Sequence, residues 1–216
     1  MEKAKLQHSG ELYDPMDAEL QKKQLRRLDM VYQYNRIRPS NLRKREKTLR
    51  NMFAEMGENV YIEPPLRANF GGQFVHIGNN VYANYNLTLV DDTHIWIGDN
   101  TLIGPNVILC TAGHPVLTEL REKGMQFNAP VRIGKNCWLG GGAIVLPGVT
   151  IGDHTVIGAG SVVTKDIPSG VVAVGNPCRV MREIGEEDEH TYFRDHEIPD
   201  QLRPRPGFRT NPDGSV

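Results

Sequence analysis

Cysteine is scarce in this sequence of 216 residues, charge is nearly balanced, and long apolar runs are missing. The three cysteines, Cys110, Cys137 and Cys178, form no CxxC motif, so neither a disulfide framework nor a cysteine-based zinc site is predicted. A formal net charge of -1 provides no basic field to attract nucleic acid. Because no apolar run reaches about 18 residues, no segment is expected to span a membrane. Nucleic acid and membranes are therefore not expected as partners.

The N-terminal residues do not have the pattern of a secretory signal. The stretch MEKAKLQHSGELYDP has no apolar core after its basic residues. Together with the scattered cysteines, this favours a protein of the reducing cytoplasm.

Glycine, by contrast, is plentiful, and many of the 22 glycines recur with a period of six. From Ile97 the chain runs IGDNTL, IGPNVI, LCTAGH, and from Ile133 it runs IGKNCW, LGGGAI, VLPGVT, IGDHTV, IGAGSV, VTKDIP. Upstream, Ile77 opens IGNNVY, ANYNLT and LVDDTH, and Ile95-Trp96 then shifts the phase. An aliphatic residue at every sixth position defines one inward line, and the small residue after it lets the chain turn without a Cβ clash.

This periodicity predicts an all-β solenoid, in which three sixes form a coil of about 18 residues and successive coils pair as parallel strands. Four coils are predicted, at residues 77–94, 97–114, 133–150 and 151–168. A glycine-rich coil or a βαβ protein is the alternative, and the sustained run of sixes argues against both. The spacing does not fix the handedness, since parallel crossovers in general favour right-handed connections.

The remaining segments lack the repeat. Apolar residues at helical spacing predict one amphipathic helix over residues 17–36 and a second that starts near Pro39-Ser40 and stops at Gly57. These helices could cap the open end of the coil stack. We expect a helical segment over 1–58, a β-helix over 59–184 with a protruding loop at 115–130, and a partly mobile tail over 185–216.

His114 is the candidate for chemistry, because it ends a coil beside the long insertion. An imidazole with its ordinary pKa of about 6.5 is neutral at pH 7 and can take a proton from a hydroxyl. No GxSxG motif is present and each cysteine has a structural explanation, so direct attack by an acceptor on an acyl donor is favoured over a covalent intermediate.

Three further patterns allow a structural and a functional explanation. His76, His94 and His114 could lie along one corner of the stack, but residues in line on neighbouring coils do not converge on a metal, and no metal is expected. The run Gly140-Gly141-Gly142 suits a corner, or it leaves room for a thin ligand such as a pantetheine arm. Lys165, Arg179 and Arg182 are solvated surface charges or phosphate ligands.

Several strings make the sequence resemble the galactoside and maltose O-acetyltransferases of the hexapeptide-repeat superfamily, from about Gly10 to Ile184. They are GELY at 10–13, YANYNLTLVDD at 82–92, TAGHP at 111–115, IGKNCWLGGGAIVLPGVTIG at 133–152, VIGAGSVVTKDIP at 156–168 and GNPCRV at 175–180. The resemblance implies a left-handed parallel β-helix that assembles as a homotrimer, with acetyl-CoA and a sugar or glycoside acceptor bound between subunits. It also implies that His114 is the general base, and that the sugar hydroxyl attacks the thioester in a ternary complex.

The resemblance assigns binding roles residue by residue. Acceptor positions are Asn69, Tyr82, Asn84 and Asp92, with Asp17 beside an acidic family position that is Pro15 in this chain. Positions that contact acetyl-CoA are Trp138, Gly141, Ala159, Thr164, Lys165, Arg179 and Arg182. The chain departs from the family in having Gln24 at a basic position and one more residue in the stretch 70–75.

Alternative functions follow from the same features. Within acetyl transfer, the acceptor could be a hydroxylated xenobiotic or a lipo-oligosaccharide. A zinc-dependent hydratase of the gamma carbonic anhydrase type shares the fold, but this chain keeps the strings on the coenzyme A side. A non-catalytic scaffold would not need Asn84, Asp92 and His114 together.

Overall fold

The computed structural model describes residues 5–203, and the end of the predicted mobile tail lies outside this range. Helices are α1 (Ala18–Asn35), α2 (Leu42–Met52), α3 (Thr118–Glu122) and α4 (Glu187–His190). Strands are β1 (Glu55–Met56), β2 (Tyr61–Ile62), β3 (Arg67–Ala68), β4 (Val75–Ile77), β5 (Tyr82–Ala83), β6 (Thr88–Val90), β7 (Ile95–Ile97), β8 (Leu102–Ile103), β9 (Ile108–Cys110), β10 (Ala112–Gly113), β11 (Phe127–Asn128), β12 (Val131–Ile133), β13 (Trp138–Leu139), β14 (Ile144–Val145), β15 (Thr150–Ile151), β16 (Val156–Ile157), β17 (Val162–Val163), β18 (Val171–Val174), β19 (Arg179–Glu183), β20 (Thr191–Phe193) and β21 (His196–Glu197). A short 3-10 helix, Asp200–Leu202, follows.

Three parallel sheets form the sides of a β-solenoid, which confirms the predicted fold class. The first sheet contains β1, β4, β7, β12 and β15. The second contains β2, β5, β8, β13, β16 and β18, with β19 antiparallel to β18 at its edge, and the third contains β3, β6, β9, β14 and β17. Five complete coils and a partial sixth result. No helix within residues 5–203 is long and apolar enough to cross a bilayer.

The inward line predicted from the repeat is present as a register of isoleucines. Ile77 is opposite Ile97, Ile97 is opposite Ile133, and Ile133 is opposite Ile151. The pairing of Ile77 with Ile97 confirms the phase shift at Ile95-Trp96. These residues belong to one buried apolar cluster that runs through the coils, so burial of this line stabilises each coil against its neighbours.

Corners of the solenoid explain the small and polar residues of the repeat. Gly98 is required by close approach, because a Cβ there would lie 2.6 Å from the carbonyl carbon of Gly134 in the next coil. The left-handed residue of the turn is instead the asparagine two positions later, as at Asn80 and Asn100, each with φ of 57°. The amide of Asn80 donates to Oδ1 of Asn100 at 3.0 Å, which adds a side-chain contact between coils.

The two predicted helices are present, but the second ends earlier than predicted. Helix α1 begins after Asp17, and α2 stops at Met52 instead of continuing to Gly57. The following residues form β1, which pairs with β4 so that Met56 is opposite Ile77. The sequence carried a signal for this extra coil, because MGENVY at 56–61 repeats IGNNVY at 77–82.

Both helices cover the first coil. The hydroxyl of Tyr34 in α1 donates to the carbonyl of Ile62 at 2.5 Å, and the guanidinium of Arg45 in α2 donates to the same carbonyl. Arg45 is 3% exposed and also donates to the hydroxyl of Tyr61 at 2.8 Å. The open end of the solenoid is thus closed by apolar packing and by donors to its terminal carbonyl groups.

A loop after β3, residues 69–74, contains the extra residue noted in the sequence. Asp91 is 0% exposed, and its two carboxylate oxygens accept from the backbone N–H of Phe70 and of Gly72, each at 2.8 Å. Burial raises the pKa of Asp91 to about 7, although these two N–H groups act in the opposite direction. From the other side, Arg27 of α1 donates to the carbonyls of Phe70 and Gly71, each at 3.2 Å. The loop is therefore held by fixed partners on both sides.

We expect Leu109→Ala to lower the free energy of unfolding by about 2–5 kcal/mol, because it leaves a cavity in the coil core. Leu109 is 0% exposed, whereas Leu25 on α1 is 64% exposed and serves as the matched control. Leu25→Ala should change stability by about 0.5 kcal/mol or less. Urea denaturation of both variants measures the difference, and equal effects would contradict the assignment of Leu109 to the core.

Asp91→Asn should change the pH dependence of stability. Between the ordinary carboxyl pKa of 3.8 and the folded value of about 7, unfolding of the wild type releases a proton from Asp91. Raising the pH through this window therefore destabilises the wild type relative to the variant, by up to about 1.4 kcal/mol per pH unit. Urea denaturation of both proteins between about pH 4 and pH 7 measures this. A difference that stays constant across the window would show that Asp91 ionises normally in the folded chain.

Candidate active site

His114 lies at the base of an arm that leaves the solenoid after β9. Strands β10 and β11 pair antiparallel, with Gly113 opposite Phe127, and α3 lies in the excursion between them. A Cβ on Gly113 would lie 2.6 Å from Cζ of Phe127, so the glycine leaves room for this ring to pack across the hairpin. The predicted protruding loop is thus an ordered hairpin with His114 directly after its first strand.

The imidazole of His114 is exposed and oriented by the arm. Its Nδ1 is 2.9 Å from the carbonyl oxygen of Met125. A carbonyl only accepts, so Nδ1 carries the hydrogen and the neutral ring keeps a free lone pair on Nε2. This is the tautomer that a general base needs.

Asp92 and Asn69, both predicted acceptor positions, are in direct contact. Asp92 is 4% exposed, and its Oδ2 accepts from Nδ2 of Asn69 at 2.7 Å. Its Oδ1 accepts from Nε2 of Gln126 in the arm at 3.0 Å. Gln126 was not predicted, because the arm has no repeat that would indicate which of its side chains points inward.

Helix α1 reaches the same group of residues. Nε2 of Gln24 donates to Oδ1 of Asn69 at 2.9 Å, so the uncharged residue at the basic position noted in the sequence contacts a predicted acceptor position. Asp17 lies about two helical turns earlier on α1. Its carboxylate caps the helix by accepting from the backbone N–H of Glu19 and Leu20 at 3.2 and 3.3 Å.

Apart from Asp17, which precedes α1, the predicted site residues fall into two groups on different edges of the solenoid. The first group follows strands of the third sheet and is called the third-sheet edge; it comprises Asn69, Asp92, His114, Thr164 and Lys165. The second group lies on or directly after strands of the second sheet and is called the second-sheet side; it comprises Tyr82, Asn84, Trp138, Gly141, Ala159, Arg179 and Arg182. Within one chain the third sheet lies between the two groups, so a single chain does not bring them together.

The second-sheet side presents an apolar and aromatic surface. The ring of Tyr82 stacks on Tyr61 with centroids 6.1 Å apart and planes 5° apart. Trp138 is 55% exposed, and its register neighbour Leu102 is 49% exposed. Such a surface can pack against a flat or apolar ligand.

The glycine run on this side has two functions along its length. A Cβ on Gly140 would lie 2.5 Å from the backbone nitrogen of Ala159, so Gly140 is required by coil stacking. The three atoms nearest a Cβ on Gly141 all belong to Pro105, at 3.3 Å, so this position is less constrained by the neighbouring coils. Gly142 has φ of 73° and is required by the backbone conformation of the turn. Gly141 is therefore the position of the run where an absent side chain can serve a ligand.

The basic residues of the second-sheet side differ in availability. Arg182 forms two hydrogen bonds with the carboxylate of Asp188, each at 2.7 Å. Its guanidinium therefore has a carboxylate partner that a phosphate would have to share or displace. Arg179 donates to the carbonyl of Cys178 at 2.7 Å and is exposed.

The three histidines of the sequence pattern do not lie in one line. His76 is opposite Trp96 in the register, not opposite His94, while Nε2 of His76 is 2.9 Å from Nδ1 of His94. His114 belongs to the arm. Within residues 5–203, no group of three or more His, Cys, Asp or Glu side chains is placed to hold a metal ion.

The cysteines are poor nucleophiles in this setting. Burial raises the pKa of all three thiols, and that of Cys137 reaches about 11. A thiol with a raised pKa holds its proton at neutral pH. This agrees with a reaction that needs no cysteine nucleophile.

Comparisons with known proteins identify the family. Residues 8–57 match the maltose acetyltransferase hexapeptide capping motif, and residues 130–165 match the bacterial transferase hexapeptide of six repeats. A galactoside O-acetyltransferase of Escherichia coli (strain K12) is 50% identical over 190 residues, which are 88% of this chain and 93% of the relative. One from Lactococcus lactis subsp. lactis (strain IL1403) is 50% identical over 192 residues, which are 89% of this chain and 93% of the relative.

Solved structures agree with the sequence comparison. A galactoside acetyltransferase in complex with coenzyme A has a TM-score of 0.89 and 49% identity, covering 92% of this chain and 99% of its own. A maltose O-acetyltransferase from Clostridium difficile 630 has a TM-score of 0.83 and 43% identity, covering 85% of this chain and 98% of its own. The chain therefore belongs to the galactoside and maltose O-acetyltransferases, a family of hexapeptide-repeat acetyltransferases.

Proposed function

We propose that the chain transfers the acetyl group of acetyl-CoA to a hydroxyl of a sugar or glycoside, with His114 as the general base. The orientation of His114 carries this proposal, because the contact between Nδ1 and the Met125 carbonyl leaves Nε2 free to accept a proton. The carboxylate of Asp92 and the amide of Asn69 lie on the same edge and provide hydrogen-bonding groups suited to hydroxyls. The relative solved with coenzyme A supports the choice of donor.

The reaction proceeds by direct attack in a ternary complex. Nε2 of His114 takes the proton of the acceptor hydroxyl while the hydroxyl oxygen bonds to the thioester carbonyl carbon. The carbonyl electron pair moves to oxygen and then returns to break the carbon–sulfur bond. The thiolate of coenzyme A receives the proton held by His114, which restores the neutral imidazole. A covalent acetyl-enzyme is not needed.

The active unit is an oligomer, a homotrimer by the family resemblance. The third-sheet edge holds the proposed base and the acceptor positions Asn69 and Asp92. The other acceptor positions, Tyr82 and Asn84, and most of the predicted acetyl-CoA positions lie on the second-sheet side. If two chains face each other through these surfaces, the separated groups come together and water is excluded from the thioester. Closed rotational symmetry then gives every chain the same site.

The free cysteines indicate the compartment in which the protein works. All three cysteines are free, as is usual in a reducing compartment. We place the reaction in the cytoplasm.

A panel of glycosides, hydroxylated drugs and lipo-oligosaccharides, assayed with acetyl-CoA, distinguishes the sugar acceptor from the two alternatives.

His114→Ala should keep the fold and lose about 10² to 10⁴ in kcat, because the hydroxyl no longer has a base beside it. His196→Ala is the matched control, since His196 is exposed in the hairpin of β20 and β21 and is not a predicted site residue. Thiol release from acetyl-CoA with a glycoside acceptor measures kcat, and circular dichroism checks the fold. Near-normal kcat in a folded His114→Ala protein would remove His114 from the mechanism.

Mixing two inactive variants tests whether the site is shared between chains. His114→Ala lacks the base, and Gly141→Trp fills the donor side without touching the third-sheet edge. If each site uses one group from each chain, oligomers reassembled from both variants should regain part of the activity that either variant lacks alone. No recovery in demonstrated mixed oligomers, or a fully active monomer in sedimentation at assay concentration, would rule out the shared site.

A further inference from the structure

Gln126 is a buried side chain of the arm, next to the third-sheet edge. It is 7% exposed, and its Nε2 is 3.0 Å from Oδ1 of Asp92. The residue before it, Met125, provides the carbonyl that orients His114. One short segment of the arm thus contacts both the proposed base and the proposed acceptor carboxylate.

The position of Gln126 is fixed by its backbone and by buried polar neighbours. Its N–H donates to the carbonyl of Tyr13 at 3.0 Å, and its carbonyl accepts from the N–H of Tyr13 at 2.9 Å. Its Nε2 is also 2.9 Å from the Tyr13 hydroxyl and 2.9 Å from Oδ1 of Asn128. Asn128 in turn donates to the carbonyl of Gln7 at 2.9 Å, so the N-terminal segment and the arm hold the amide in one place.

The carboxylate of Asp92 is oriented by neutral donors on both oxygens. Asn69 donates to Oδ2, and Gln126 donates to Oδ1. Each carboxylate oxygen can accept about two hydrogen bonds, so each amide leaves one site for a ligand. A carboxylate held in this way fits two neighbouring hydroxyl groups, the pattern that sugars have and that an acceptor with a single hydroxyl lacks.

We propose that Gln126 is a positioning and specificity-determining residue, which orients Asp92 to bind a pair of neighbouring hydroxyls on the acceptor. The inference rests on the proposed function, because it takes Asp92 as the acceptor contact. Gln126 itself does not touch the reacting atoms. Its effect is on acceptor binding, and the base and the donor site remain intact when the amide of Gln126 is removed.

Gln126→Met tests this, because methionine has a similar length and no N–H donor. We expect kcat/KM for p-nitrophenyl β-galactoside to fall about 10- to 100-fold, the effect of one hydrogen bond to a charged group. The KM for acetyl-CoA and the slow hydrolysis of acetyl-CoA without acceptor should stay within about twofold of the wild type. Gln33→Met, at an exposed position on α1, is the matched control.

The outcomes separate this inference from the proposed function. Unchanged kcat/KM for the glycoside in Gln126→Met would overturn the role of Gln126 and leave the acetyltransferase mechanism standing. A parallel loss of acetyl-CoA hydrolysis would also overturn it, since it would place the effect on His114. A wild-type enzyme that acetylates no glycoside would overturn the proposed acceptor, and the inference with it.

Gln126→Glu provides a test that a general loss of folding cannot imitate. A protonated carboxyl at this position donates to Oδ1 of Asp92 as the amide does, whereas an ionised one repels it at a similar distance. The ratio of variant to wild-type kcat/KM should therefore rise as the pH falls from about 8 to about 5.5, and dividing by the wild type removes every pH dependence that the two proteins share. A ratio that does not change with pH would contradict the proposed contact.

Discussion

Backbone hydrogen bonding between successive coils sets the spacing on which everything else depends. The N–H of Gly98 donates to the carbonyl of Ile133 at 2.9 Å, and that of Gly134 donates to Ile151 at 2.8 Å, so each coil is fixed against the next one. At this spacing a Cβ at Gly98 or Gly140 would collide with the backbone of the following coil. On the first sheet the inward line is then built from residues of one size, from Ile77 to Ile151, because stacked side chains of equal size fill the interior evenly. The distance between successive coils thus accounts for both the glycine and the aliphatic positions of the repeat.

The proposed chemistry is located where this regular spacing is interrupted. The loop at 69–74, the arm after β9 and the antiparallel β19 each depart from the coil, and each carries predicted site residues or supports them. A regular coil offers flat sides and tight corners, which leave little room for a ligand. The departures supply polar side chains with directions that the repeat does not allow. Asp91 and Arg27 hold the first of these departures, and the pairing of β10 with β11 holds the second.

The fold could be predicted from the sequence because its cause is local and repeated. The inward isoleucines, the phase shift before Ile97 and the position of the arm all follow from residue spacing, and the register confirms them. The first coil was missed because β1 directly follows α2 and only one of its sixes, MGENVY, resembles the others. Motif resemblance assigned the site residues, but it could not show that they lie on two edges of one chain. Gln24 was noticed only as a departure from a basic position of the family, and Gln126 had no signal at all, since the contacts of both depend on how a helix and an arm pack against the solenoid.

The bridge between Tyr13 and Gln126 joins residues 113 positions apart, and it has a consequence for the order of folding. Closing so long a segment costs chain entropy, which is recovered only when the intervening coils have already shortened the distance. We therefore expect the solenoid to form before the N-terminal segment returns across the arm. The proposed base, His114, would then acquire its orientation last, and a chain that has completed its core could still be inactive until its N-terminal segment is in place.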